Sequence, residues 1–173
     1  MDPVHLHLMF NHLPVIGTPI VVALLLWGIV RGSREISRMA LAAAVILAAV
    51  TYPVFLTGEP AEDRLEEASW VRERLIHDHE ERAEVALVAV LVAGSLGALG
   101  LWQSRKGRPL PRATALLTLG GLVLSAGLFA RTALAGGVIR HEEIRPGAVQ
   151  TVAEEGTGRV APQPRDNDPD DRD

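Results

Sequence analysis

Four stretches of 18 residues, Leu13 to Val30, Met39 to Leu56, Val85 to Trp102 and Ala113 to Ala130, contain no charged side chain. The 17 Lys and Arg and the 21 Asp and Glu of the 173-residue chain all fall between or beyond them. A soluble chain has about a quarter of its residues charged, so each stretch would hold about four charges by composition alone. Four empty windows predict four membrane helices. Eighteen residues rise about 27 Å as an α-helix, slightly less than the ~30 Å hydrocarbon slab, so flanking residues must complete each span. Strands of a membrane barrel would show about ten residues of alternating polarity, and none does. The predicted fold is all-α: an integral membrane four-helix bundle occupying residues 1–145, followed by an acidic, Pro-containing tail, 146–173, with too little apolar surface to order itself.

The first window does not read as a signal peptide. Met1 to Phe10 carries Asp2 and no Lys or Arg, and no small-residue cleavage site follows the apolar stretch. The chain has no cysteine, which excludes disulfides, thiolate metal sites, iron–sulfur clusters and thiol catalysis within it. Phosphate-binding, dinucleotide and nucleophile-elbow patterns are missing. Nucleic acid is not an expected partner, because the basic residues lie in short loops flanking the windows and only one of them is Lys.

Charge sets the expected orientation. The segments 31–38 and 103–112 together hold Arg31, Arg34, Arg38, Arg105, Lys106, Arg108 and Arg112, whereas the longer segment 57–84 has four basic and ten acidic residues. The positive-inside rule places the two basic loops in the cytoplasm and both termini outside, as in a multi-pass protein of the inner (cytoplasmic) membrane. Trp27 and Trp102 fall at the predicted inner boundary and Trp70 near the outer one, the positions of an aromatic belt.

This topology collects every histidine on the outer side. His5, His7 and His12 enter the first window, His77 and His79 enter the third, and His141 follows the fourth. At about 100° per residue, His79 is in phase with Ala86, Ala93 and Gly100, flanked by Ala83, Val90 and Gly97. Small residues mark where membrane helices approach closely, so His79 is expected to face into the bundle. His77 shares the opposite face with Glu81 and Glu84 and is expected to meet water.

Local signals refine the picture. Asp2 and Pro3 suit an N-cap and first turn, giving a short helix from Pro3 to His12. Pro14, Pro19 and Pro53 remove helical donors near span ends. The segment beginning at Pro60 reads as helical, with Ser69 as a cap before Trp70. Its carboxylates Glu59, Asp63, Glu66 and Glu67 suit a solvated face, while Glu62 and Glu80 lie nearest the bundle mouth. Arg131 is expected to snorkel to the outer interface. Gly136 and Gly137 permit a sharp reversal that would return His141 and Glu142 over the mouth.

At His7, His12 and Pro14, the pattern His-x4-His-x-Pro opening a membrane helix resembles the DUF2231-like group of small bacterial membrane proteins. Thr57-Gly58-Glu59, His79-Glu80 and Gly136-Gly137 with His141 are similar to further marks of that group; Leu8 stands where its members carry a proline. The resemblance covers most of residues 5–145. It implies a four-helix membrane unit with paired outer histidines and a redox or metal role.

Two classes of function follow. In the first, imidazoles and carboxylates at the mouth bind a transition metal, Zn, Fe, Cu or Mn, through His7, His12, His79 and His141 with Glu62, Glu80 and Glu142. Its variant is a haem b held by His12 and His79, with Arg131 or Arg140 meeting the propionates. In the second, the chain is a non-catalytic scaffold or accessory subunit in the bilayer, whose small-residue stripes pack against partner subunits or further copies of itself. Transport by this chain alone is disfavoured, since translocation paths place ionisable groups within the membrane.

Overall fold

The computed structural model describes residues 3–60 and 73–141. The segment around Glu62, Ser69 and Trp70, the Asp2 cap, Glu142 and the acidic tail lie outside the described residues. Among the described residues, five α-helices follow one another: α1 (Pro3–Phe10), α2 (His12–Val30), α3 (Arg34–Leu56), α4 (Glu73–Gln103) and α5 (Arg112–Arg140), with a 3₁₀ turn at Arg105–Gly107. Among the described residues there is no strand. Four helical stretches, Val4–Val30, Arg34–Leu56, Glu73–Gln103 and Arg112–Ile139, are long and apolar enough to cross a membrane.

The windows located the spans but understated the helices. At about 1.5 Å per residue, the 31 residues of α4 and the 29 of α5 extend well beyond the hydrocarbon slab. In α4 the surplus is Glu73 to Glu84, whose several charges keep it out of hydrocarbon, so the membrane-spanning part is the charge-free window 85–102. In α5 the surplus runs straight through Gly136 and Gly137 to Arg140. The reversal expected at that glycine pair does not occur. Neither glycine has a positive φ, and Gly136 has a packing role described below.

Buried positions follow a three-four alternation on the long helices. On α2 they are Pro14, Thr18, Val21, Leu25 and Gly28. On α4 they include Ala86, Val90, Ala93, Gly97 and Gly100, the stripe expected from helix phase. This spacing gives the shallow crossing of coiled-coil-like bundles. Helix α2 packs on α3 and α5, α4 packs on α3 and α5, and so α2 and α4 stand diagonally opposed. Leu25, Leu41 and Leu122 are fully enclosed. Outward apolar residues such as Ile20, Ile46, Val88 and Leu124 are exposed, as lipid contact requires. A methyl on Gly94 would overlap Ala48 Cβ, so α3 and α4 meet through the absence of a side chain.

Most buried hydroxyls are satisfied along their own helices, Thr114 instead donating to Gln103 Oε1 at the end of α4 (2.8 Å). Thr18, Thr51, Thr118, Ser125 and Thr132 each donate to the carbonyl four residues earlier, at 2.6 to 3.1 Å. The basic end is fastened differently. Arg34 donates to Gly107 O (2.8 Å) and Ser104 O (2.9 Å), and Arg38 donates to Ser104 O (2.9 Å) and Ser104 Oγ (2.7 Å). Two guanidinium groups thereby occupy carbonyls that the end of α4 leaves without helical partners. Arg31 and Arg105 stack over the exposed rings of Trp27 and Trp102, at 5.6 and 4.7 Å.

Candidate functional site

The α1–α2 junction decides which histidine faces inward. Pro14 has no N–H to bond Phe10, and the helix registers a break at Asn11. Asn11 nevertheless keeps helical angles (φ −60°, ψ −23°), and its N–H donates to His7 O at 2.8 Å. The helical path therefore continues, and the buried face of α2 projects back by the same alternation through Asn11 to His7. His7 is half-buried, while His12 is exposed, about 100° around the helix from Asn11. Of the two expected ligands on this segment, His12 is thus the exposed one and His7 takes the inward position.

His79 occupies the equivalent place on the diagonal helix. It is half-buried, and His7 and His79 are near enough for the charge of one to act on the other. Both rings are held alike. His7 Nδ1 lies 3.0 Å from Val54 O on α3, and His79 Nδ1 lies 3.0 Å from Thr132 O on α5. A carbonyl only accepts, so each Nδ1 carries the proton and each neutral ring keeps its Nε2 lone pair for a ligand. Such Nδ1–H···O=C anchoring is the usual outer-shell support of a metal-binding imidazole.

The equivalence extends to the backbone behind each ring. Four residues after each anchoring carbonyl comes a glycine, Gly58 after Val54 and Gly136 after Thr132. A Cβ on Gly58 would stand 3.4 Å from His7 Cε1, and one on Gly136 would stand 3.1 Å from His79 Cε1. Thr57 Oγ1 is 3.5 Å from His7 Nδ1 and donates its own proton to Val54 O at 2.7 Å. The two helical hairpins thus present matching sites: a histidine on the entering helix, with a carbonyl and a glycine on the returning one.

Burial holds the His79 imidazole below its ordinary value of 6.5. Its hydrogen bond to Thr132 opposes that shift, and the charges of His7 and Arg82 add to it. A neutral ring at physiological pH is the form that ligates.

The remaining expected residues are placed elsewhere or lie outside the description. His77 is exposed and pairs with Glu80 (3.8 Å) and Glu81 (3.4 Å), as its helix phase implied. Glu80 therefore accompanies His77, and its side chain is 49% exposed. Arg131 is exposed. The side chain of Arg140 lies outside the description, as do Glu62 and Glu142. His141 is exposed and opens a second unit, His141–Asp173, distinct from Met1–Arg140. Among the described residues, no three His, Asp or Glu side chains gather into a group that could hold a metal ion. The inward donor set consists of two imidazoles.

Sequence reasoning missed Val54, Thr132, Asn11 and Arg82. One signal was available: His-x-His occurs twice, as His5-Leu-His7 and His77-Asp-His79, each time ahead of an apolar window, and in both the second histidine turns inward. No family model, curated protein or solved structure matches the chain.

Proposed function

We propose that this protein is a multi-pass protein of the cytoplasmic membrane that holds a transition-metal centre between His7 and His79 on the extracytoplasmic side. The observation that carries the reading is the matched pair of anchored imidazoles. Two histidines from opposite hairpins each commit Nδ1 to a backbone carbonyl, which leaves Nε2 as the ring atom available to a ligand. Orientation rests on charge. Seven basic residues occupy the two short loops at the opposite end of the bundle, where the positive-inside rule puts the cytoplasm.

Two imidazoles suit a bare zinc, copper or iron ion, and they also suit the axial positions of haem b. For haem, Arg82, whose charge acts on His79, is the cation available to a propionate. An iron or copper centre here would supply one-electron transfer.

An absorption spectrum and elemental analysis of detergent-purified full-length protein, prepared without chelator, test the proposal. One transition metal or one haem per chain is expected, lost in His7→Ala and in His79→Ala and kept in His77→Ala. Metal-free and haem-free protein that also fails to take up added Cu(II), Zn(II) or haem would leave the scaffold as the better account.

A further inference from the structure

Asn11 follows His7 by one helical turn on the inward face, bonded through its N–H to His7 O. Its Oδ1 is shielded from solvent and, among the described residues, is the buried side-chain polar atom without a hydrogen-bond partner. An unmet buried acceptor costs about 1–3 kcal/mol, and such groups call for a physical cause.

Among the described residues, the imidazole and hydroxyl protons of the neighbouring helices are committed to backbone carbonyls. The Nδ1–H of His7 goes to Val54 O and that of His79 to Thr132 O. The hydroxyl of Thr57 goes to Val54 O, that of Thr18 to Pro14 O and that of Thr132 to Leu128 O. Neutral imidazoles bonded in this way have no second N–H to offer. Among the described residues these groups leave Asn11 Oδ1 without a proton, and a guest that carries a donor would supply one. Haem does not bring one, because its pyrrole nitrogens are occupied by iron and its ionised propionates only accept. A hydrated metal ion does, since coordination makes bound water more acidic and a stronger donor.

Resting on the His7 and His79 reading, we infer that the guest is a metal ion with an exchangeable water, whose proton is received by Asn11 Oδ1. Asn11 is thus a positioning residue for an open coordination position. Metal centres built for chemistry, rather than for structure alone, keep such a position.

The test uses detergent-solubilised full-length protein, stripped by chelator and titrated with Cu(II). Three quantities are read: the dissociation constant, the thermal midpoint with and without the ion, and the solvent-proton relaxation caused by bound Cu(II). Asn11→Leu removes the acceptor at similar volume. Without metal, the variant should melt no lower than the parent, because the unmet oxygen is gone. With Cu(II), its affinity should fall about tenfold, the scale of one hydrogen bond to a polarised donor, and its relaxation enhancement should drop. Asn11→Asp keeps an acceptor and should bind at least as tightly as the parent. Asn11→Ala gives the same readings if the leucine variant does not fold.

Equal Cu(II) affinity and equal relaxation in the parent and Asn11→Leu would overturn the inference while leaving the two-histidine site standing. One tightly held haem per chain, with both axial positions filled by imidazole, would do the same. Cu(II) binding that survives both His7→Ala and His79→Ala would remove the site itself.

Discussion

The two ends of the bundle use polar groups in opposite ways. At the basic end, Arg34 and Arg38 direct guanidinium protons onto Ser104 and Gly107 carbonyls, so cationic donors and backbone acceptors satisfy one another. At the histidine end, His7 and His79 also bond to backbone carbonyls, but each retains a lone pair and Asn11 Oδ1 stays unpaired. The first arrangement is complete without a guest. The second leaves these atoms over. Buried polar groups in native proteins are overwhelmingly paired, so an end that leaves ligating and accepting atoms over is the end to test for binding.

The sharpest way to break this comparison is to remove one member from each end. His79→Ala should abolish stoichiometric metal binding, since a two-imidazole site with one imidazole lost has no comparable substitute among the described residues. Arg38→Ala should leave binding intact and lower the stability of the bundle by about 1.5–3 kcal/mol, the range for hydrogen bonds from a charged donor. The measurements are metal content and a detergent unfolding curve for both variants. Metal loss in Arg38→Ala without unfolding would mean that the ends are coupled and the contrast is false.

His79→Asn sharpens the same contrast. The asparagine amide can donate toward Thr132 O as Nδ1–H does, yet it has no atom at Nε2. Thermal stability near that of the parent, together with loss of metal, is the expected result. Retained metal would show that Nε2 of His79 is not a ligand.

Next in size are the glycines. Gly136→Ala would bring a methyl to 3.1 Å from His79 Cε1, whereas Gly127→Ala on the same helix meets nothing within 4 Å. The first should tilt the imidazole off Thr132 O and weaken Cu(II) binding severalfold. The second should leave affinity unchanged and favour the helix slightly, since alanine is the better helix former by up to ~1 kcal/mol. Competition titrations against a chelator separate the two variants. Equal affinities would argue that ring orientation does not limit binding.

The bundle was legible in the sequence because lipid imposes a plain rule: no charge over a helical span. The four empty windows and the stripe of Ala86, Ala93 and Gly100 needed nothing else. Helix length was less legible, because Glu73 to Glu84 is an amphipathic extension above the bilayer and carries no membrane signal. Which of His7 and His12 turns inward was not legible, because Pro14 permits a bend whose angle the sequence does not fix. Helical angles at Asn11 keep the phase of α2 running back to His7. The carbonyls of Val54 and Thr132 had no sequence signature at all, since every residue offers one.

The smallest expected effect concerns acidity and returns to the histidine end alone. Burial depresses the His79 imidazole below its ordinary 6.5, so between that lowered value and about 6.5 the unfolded chain binds a proton that the folded chain refuses. Stability of the metal-free protein from this source is complete above about pH 6.5 and declines as pH falls through the interval beneath it. It stops declining once the folded ring also protonates, when its positive charge faces that of Arg82. His79→Gln removes this contribution and should flatten the profile below about pH 6.5, while His77→Gln, altering an exposed ring, should leave the parent slope. Bound metal adds to the slope, because protons compete for Nε2. A parent profile as flat as that of His79→Gln would mean that the ring is solvated and stands outside the bundle mouth.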